Sequence, residues 1–166
     1  DEEEVAVAIQ QLKGGKMPGP NEFPAEFFKQ RASKLIEPLL AMFQEARERG
    51  RFSPDLRSSY IVLIHKQGKP RDTVGAYRPI TLLNCEVKIL AKIPANRLYG
   101  VVDLLIHPDQ SGFMPGRSTR HNLRQLYGVL DRADIIRESS AVLFLDAERA
   151  FDSLEWPFMM GILERM

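Results

Sequence analysis

One cysteine, Cys85, and one tryptophan, Trp156, stand among 166 residues. A single thiol excludes an internal disulfide framework and makes a reducing, intracellular setting (nucleus or cytoplasm) the expectation. No apolar run approaches the roughly 20 residues that a membrane-spanning helix needs, so no membrane partner is expected. No basic and apolar leader opens the chain. It begins "DEEEVAVA" without Met, which reads as cut from something longer. His65, His107 and His121 share no metal-ligand spacing with Cys85, so zinc is not expected. The spacing of a phosphate-cradling P-loop is missing, and so is any arguable Ser/His/Asp set. Repeats and low-complexity segments are absent. Charge of one sign is not in excess either: 23 basic residues face 22 acidic ones, for a net charge of +1.

What is present suits a soluble, globular chain long enough for one core: 44% of its residues are apolar and 27% charged. The charge is unevenly spread. From His65 to Arg120 nine basic residues face four acidic ones, whereas residues 121–166 hold five basic and eight acidic residues. A basic middle suggests a polyanionic partner, an acidic end a place for metal, and ordinary solvated surface explains both as well.

The chain reads as α+β. Val5, Ala8, Ile9 and Leu12 recur at helical spacing until Gly14-Gly15. "GKMPGPNEFP" is a turn-rich loop. Helices are expected over Ala25–Gln30 and Lys34–Arg49, the latter stopped by Gly50. "SSYIVLIHK" (58–66) reads as a strand, "ITLL" as a second short extended piece, and the basic loop between them carries Lys66, Lys69, Arg71 and Arg78. Helical periodicity runs from Asn84 to Ile106, with a break or kink expected near Ile93 because an interior proline, Pro94, costs about 3 kcal/mol. Ser118–Ile136 reads as a helix with Leu123, Leu126, Leu130 and Ala133 on one face. Ala141–Leu145 reads as a buried strand without an obvious ladder partner. Ser153 is the expected cap of a last helix reaching Met166.

Asp146 ends that apolar run. A carboxylate at the end of a buried strand is rigidly held, and oxygen ligands suit magnesium. Two-metal phosphoryl transfer needs at least a second carboxylate, for which Glu148, Asp152 and Glu155 are nearby. Asp is also a favoured turn residue, and on pattern alone both readings stand. The basic loop could fold over a triphosphate, with lysine as a point charge and arginine as a planar fork, or be plain solvated surface.

Five blocks occur in order: "KGGKMPGPNEFPAEFFK", "IVLIHKQGKP", "YRPITLLNCEVKILAKIPANRL", "LIHPDQSGFMPGR" and "LDAERAFDSLEW". Over nearly the whole chain they resemble the reverse transcriptase of LINE-type (non-LTR) retrotransposons. The resemblance implies the fingers and the beginning of the palm of a right-hand polymerase, with an incomplete palm sheet. Residues 1–138 would be fingers-like, with a basic β-hairpin near 58–83, and 139–166 the start of the palm. The implied activity is RNA-templated DNA synthesis, in which a primer 3′-hydroxyl attacks a deoxynucleoside triphosphate with two Mg2+ ions stabilising the charge. Asp146 would be the first catalytic metal ligand and the carbonyl of Ala147 a second metal contact. Phe151 would be the aromatic gate against a ribose 2′-hydroxyl. Lys66 and Arg78 would clasp the triphosphate. Lys69, Arg97 and Arg117 would line the path of RNA template and DNA primer.

Departures from the pattern sharpen this. The family's paired-aspartate hairpin is missing, since no Asp-Asp occurs, and the sequence stops 20 residues after Asp146. The thumb and the endonuclease domain that the resemblance implies are not expected within these 166 residues. Asn21-Glu22 stands where the family usually has Asp-Gly, and a positive φ there would strain Glu22. Pro94 stands where Leu is usual, and Arg149 where Lys is usual. These changes resemble a truncated or decaying element copy. The expectation is therefore a fragment that binds Mg2+ weakly, needs the C-terminal palm and thumb of the same polyprotein, and is inactive alone. A non-catalytic nucleic-acid-binding remnant is the alternative. A divergent phosphotransferase completed by Glu148 or Asp152 is a third.

Overall fold

Acidic residues open the chain, and the first of them caps a helix. The Asp1 carboxylate accepts the Glu4 backbone N–H at 2.9 Å, and the Glu4 carboxylate accepts from the Asp1 nitrogen at 2.8 Å. This reciprocal capping box starts α1 (Glu2–Gln10). The computed structural model in which it lies describes residues 1–137, 139, 141–147 and 150–165. Two compact units divide between Leu98 and Tyr99.

In the first unit, α1 is followed by α2 (Ala25–Gln30), α3 (Ala32–Arg49) and the short α4 (Pro54–Arg57). Gly50 closes α3 in the left-handed conformation, φ 64°, and donates its N–H back to the last turn, as expected for a helix stop. Strands β1 (Tyr60–His65) and β2 (Tyr77–Leu82) pair antiparallel, and α5 (Cys85–Tyr99) follows. The core joins the apolar stripes of the four longer helices: Val5, Ala8 and Ile9 of α1, Ala25 and Phe28 of α2, Leu39 and Phe43 of α3, Cys85 and Ile89 of α5. Full burial of a Val, Ile or Phe side chain contributes about 1.5–3 kcal/mol, which makes this cluster the main stabilising feature of the unit.

Of the break or kink expected near Ile93, the break does not occur: α5 runs from Cys85 to Tyr99 with Pro94 inside it. Proline removes one i→i−4 bond, yet Ile89 is buried and Leu90 and Ile93 pack against the core. Packing of the turns that precede the proline holds the helix against the local cost.

The second unit holds α6 (Val102–Leu105), α7 (Thr119–Ile136) and α8 (Trp156–Leu163). Ser118 caps α7, its hydroxyl accepting the Arg120 N–H at 3.3 Å. Two sequence expectations are corrected here. Ala141–Leu145 forms no strand and is not buried: Leu143, Phe144 and Leu145 are 79%, 81% and 85% exposed. A strand needs a ladder partner, and among the described residues the only sheet is the β1–β2 pair. The last helix starts at Trp156 with Glu155 at its N-cap, not at Ser153. Pro157 explains the late start, because proline favours the first helical turn. The fold class is thus mixed: helices with one small two-stranded sheet.

Candidate nucleotide and nucleic-acid site

The β-hairpin fixes two of the expected site residues by register. Ile64 faces Arg78 and His65 faces Tyr77. The Lys66 N–H donates to the Ala76 carbonyl at 2.7 Å, which carries the pairing one step further. Strand alternation therefore puts residue 66 on the face that holds Ile64 and Arg78. The Lys66 ammonium donates to the Gly75 carbonyl at 2.8 Å. Arg78 is exposed, and its guanidinium has no partner among the described residues.

The loop between the strands is tied by its own groups. His65 Nε2–H donates to the Lys69 carbonyl at 2.9 Å, which sets the tautomer, and the His65 and Tyr77 rings meet edge to face at 5.3 Å. The Tyr77 hydroxyl donates to the Arg71 carbonyl at 3.0 Å. Gly68, at φ 77°, supplies the left-handed turn. The loop thus presents the Lys69 and Arg71 side chains to solvent on an internally bonded frame.

The expected palm residues belong to the second unit. Asp146 and Ala147 sit on exposed, irregular backbone. Phe151 is 81% exposed, and its ring meets that of Phe113 edge to face at 5.9 Å. Phe113 has a positive φ of 61°, and its contact with Phe151 is not anticipated by the sequence. The local signal is only the "GFMPG" turn, where Gly and Pro crowd an aromatic residue. Glu148 and Arg149 lie outside the described residues.

Arg97 and Arg117 are engaged. Arg97 grips the Glu4 carboxylate with two bonds, 2.5 and 2.7 Å. That guanidinium, with help from the Asp1 amino group, lowers the Glu4 pKa to about 2, and Glu4 in turn raises that of Arg97. Arg117 reaches the Asp103 carboxylate at 2.9 Å and the carbonyls of Ile106, His107 and Gln110 at 3.3, 2.7 and 3.0 Å. It staples the loop between α6 and α7.

Residues 64–166 match the sequence profile of the family described as reverse transcriptase (RNA-dependent DNA polymerase). The chain belongs to this reverse transcriptase family. Among curated relatives, the uncharacterized 149 kDa protein of transposon TX1 from Xenopus laevis is 32% identical over 98% of this chain and 12% of its own length. The probable RNA-directed DNA polymerase from transposon BS of Drosophila melanogaster is 33% identical over 90% of this chain and 17% of its own length. The RNA-directed DNA polymerase from the mobile element jockey of the same fly is 28% identical over 99% of this chain and 18% of its own length. The chain thus spans under a fifth of these relatives. The resemblance to reverse transcriptases of LINE-type (non-LTR) retrotransposons agrees with the family match and with these mobile-element proteins.

Reverse transcriptases work with a divalent metal, so the fit of the side chains to one is a fair test. Among the described residues, no three His, Cys, Asp or Glu side chains gather where an ion could be held. Asp146 offers one carboxylate on exposed backbone, whereas two-metal phosphoryl transfer needs at least a second. The described residues do not by themselves build a metal centre, and no catalytic step is derived through one.

A second feature of the reverse transcriptase chain escaped the sequence reading. Buried Asn84, just before α5, accepts the Asn21 N–H at 3.1 Å and donates to the Asp55 carbonyl at 3.3 Å. The Asn21 amide in turn donates to both Glu86 carboxylate oxygens, at 2.8 and 3.0 Å. A methyl group on Gly19 would collide with Asn84, so the "PGP" loop closes on α5 only with glycine there. A lone asparagine before a helix gave no cue beyond capping.

Proposed function

We propose that this reverse transcriptase segment forms the fingers and the opening of the palm of a right-hand RNA-directed DNA polymerase, and that alone it does not make DNA. In this reading residues 1–138 belong to the fingers and 139–166 to the palm. Lys66 and Arg78 clasp the triphosphate of a deoxynucleotide, and Phe151 screens its sugar. Lys69, Arg97 and Arg117 lie along the RNA template and DNA primer. Asp146 and the Ala147 carbonyl are the positions for magnesium ligands. The buried thiol Cys85 suits a reducing compartment, in nucleus or cytoplasm.

The hairpin register carries the proposal. Residues 66 and 78 share one face, a lysine point charge beside an arginine fork, which is the pairing that phosphate oxygens favour. The Lys66–Gly75 bond is to a neutral carbonyl, so a phosphate could replace it. Arg97 and Arg117 would have to give up carboxylates to reach phosphate, which makes them positioning residues first. The proposed inactivity follows from Asp146, a single carboxylate on exposed backbone.

Primer extension on an RNA template, with magnesium and all four deoxynucleotides, is the test. The 166-residue chain should give no extended product. Robust extension lost in Asp146→Ala would overturn the inactivity. Lys69, Arg71 and Arg78, exposed and without an ion pair among the described residues, favour a second reading, a non-catalytic remnant that binds nucleic-acid backbone. It requires RNA binding to weaken by more than about tenfold between roughly 50 and 200 mM salt.

A further inference from the structure

Away from the hairpin, the first unit holds a cleft of about 610 Å³ along α3 and α5. Leu40, Phe43, Ala46, Phe52, Leu90 and Ile93 make its floor. A smaller cleft of about 300 Å³ adjoins it and shares Ala46, Arg51 and Phe52. Volumes of this size are typical of sites that accept whole side chains or small ligands.

The rim is rich in arginine. Arg47, Arg51 and Arg97 border the larger cleft, and Arg49, Arg51 and Arg57 the smaller. Acids are present too, and each is committed. Asp1 caps α1, Glu4 holds Arg97, and Glu45 holds Arg49 at 2.7 Å. Arg47, Arg51 and Arg57 are left without an ion pair among the described residues. The surface therefore combines an apolar floor with unmatched planar cations, which suits aliphatic side chains flanked by carboxylates.

We propose that this α3–α5 cleft docks an acidic amphipathic helix of a protein partner. Its apolar stripe would lie on the floor, and its Asp or Glu side chains would meet Arg47, Arg51 and Arg57. Helices are read in such grooves through residues at i, i+3, i+4 and i+7. Single-stranded nucleic acid fits less well, because bases want open aromatic faces to stack on. Here Phe43 is buried and Phe52 is partly covered. The site is separate from the triphosphate hairpin and does not depend on polymerase activity.

The test is fluorescence anisotropy with the full chain. The probe is a labelled model helix about four turns long, with Leu at i, i+3, i+4 and i+7 and Glu elsewhere. Saturable binding is expected, weakened about tenfold or more by the double change Arg47→Glu with Arg51→Glu. A peptide with Lys in place of Glu should bind poorly to the unaltered chain and better to the doubly changed one, and circular dichroism should show both proteins equally helical. No binding of the Glu peptide would overturn the proposal, as would equal binding of both peptides or indifference to the charge reversal. Single-stranded RNA binding lost in the double variant, with the Glu peptide unbound, would assign the cleft to nucleic acid instead.

Discussion

Helices α3 and α7 are each 18 residues long, and each carries apolar residues at helical spacing. The first buries Leu39 and Phe43, whereas the second buries nothing among the described residues. The same contrast separates the units that contain them. The first has a core cluster of ten buried side chains, and the second has no buried residue among those described. An amphipathic pattern states which face wants to be covered, and another apolar face has to be there to cover it. In the first unit, α1, α2, α3 and α5 supply one another. In the second, Phe144, Leu145 and Trp156 remain 81%, 85% and 78% exposed.

Core truncation should break this symmetry most plainly. Ile9→Ala or Phe28→Ala removes a side chain from the centre of the first unit and should cost about 2–5 kcal/mol of stability. Leu130→Ala on α7 removes a partly exposed side chain and should stay within about 0.5 kcal/mol. Urea denaturation followed by circular dichroism measures both. Comparable losses would mean that α7 is packed as firmly as α3, and the contrast would fall.

That contrast also explains what was legible in the sequence. Helices α1, α2, α3 and α7, the gly-stopped end of α3 and the hairpin follow from apolar period, caps and turn residues, all of which are local. The strand at Ala141–Leu145 was misread because its apolar run is local while its ladder partner is not. The break at Pro94 was misread for the opposite reason: tertiary packing of Ile89 and Ile93 overrode a local cost. For the site, the register that puts Lys66 and Arg78 on one face was not legible: the pattern left Arg78 in the loop before "ITLL", whereas β2 begins at Tyr77 and pairs Arg78 with Ile64. The Glu4 grip on Arg97 and the Asp103 grip on Arg117 were not legible either, because nothing at positions 97 or 117 names the partner. The Asn84 clamp joins residues 63 apart and leaves no local pattern at all.

Strain at Glu22 offers a finer comparison. The expectation that a positive φ there would fall on a non-glycine residue holds, with φ at 63°. Its N–H still donates to the Gly19 carbonyl at 3.0 Å, so the turn is kept by bonding. The left-handed region costs a residue with a Cβ about 1–2 kcal/mol, and glycine returns part of that gain through unfolded-chain entropy. Glu22→Gly should raise stability by about 0.5–1 kcal/mol. Arg137, at φ 57° after α7, carries the same strain in the second unit. Arg137→Gly should move the main unfolding transition less, since α7 buries no side chain for that transition to report. A larger gain at Arg137 would reverse the ranking of the two units.

The smallest effect should come from protonation. Glu4 has its pKa lowered from 4.5 to about 2, chiefly by its bonds from Arg97. A carboxyl with a depressed folded-state pKa stabilises the fold above its unfolded value, and that contribution is lost as pH falls through the folded one. The Glu4–Arg97 bridge should therefore be intact above about pH 4.5 and disappear as pH approaches about 2. Both ends of the bridge belong to the first unit, joining α1 to α5. The unaltered chain and Glu4→Gln should thus differ in urea midpoint at pH 6, and the difference should shrink steadily below pH 4.5. Asp103→Asn, which removes the carboxylate from Arg117 in the second unit, should leave that midpoint in place, because three carbonyls still hold the guanidinium. A Glu4→Gln difference that persisted undiminished at pH 2 would show that the link between α1 and α5 is packing, with the ion pair contributing nothing.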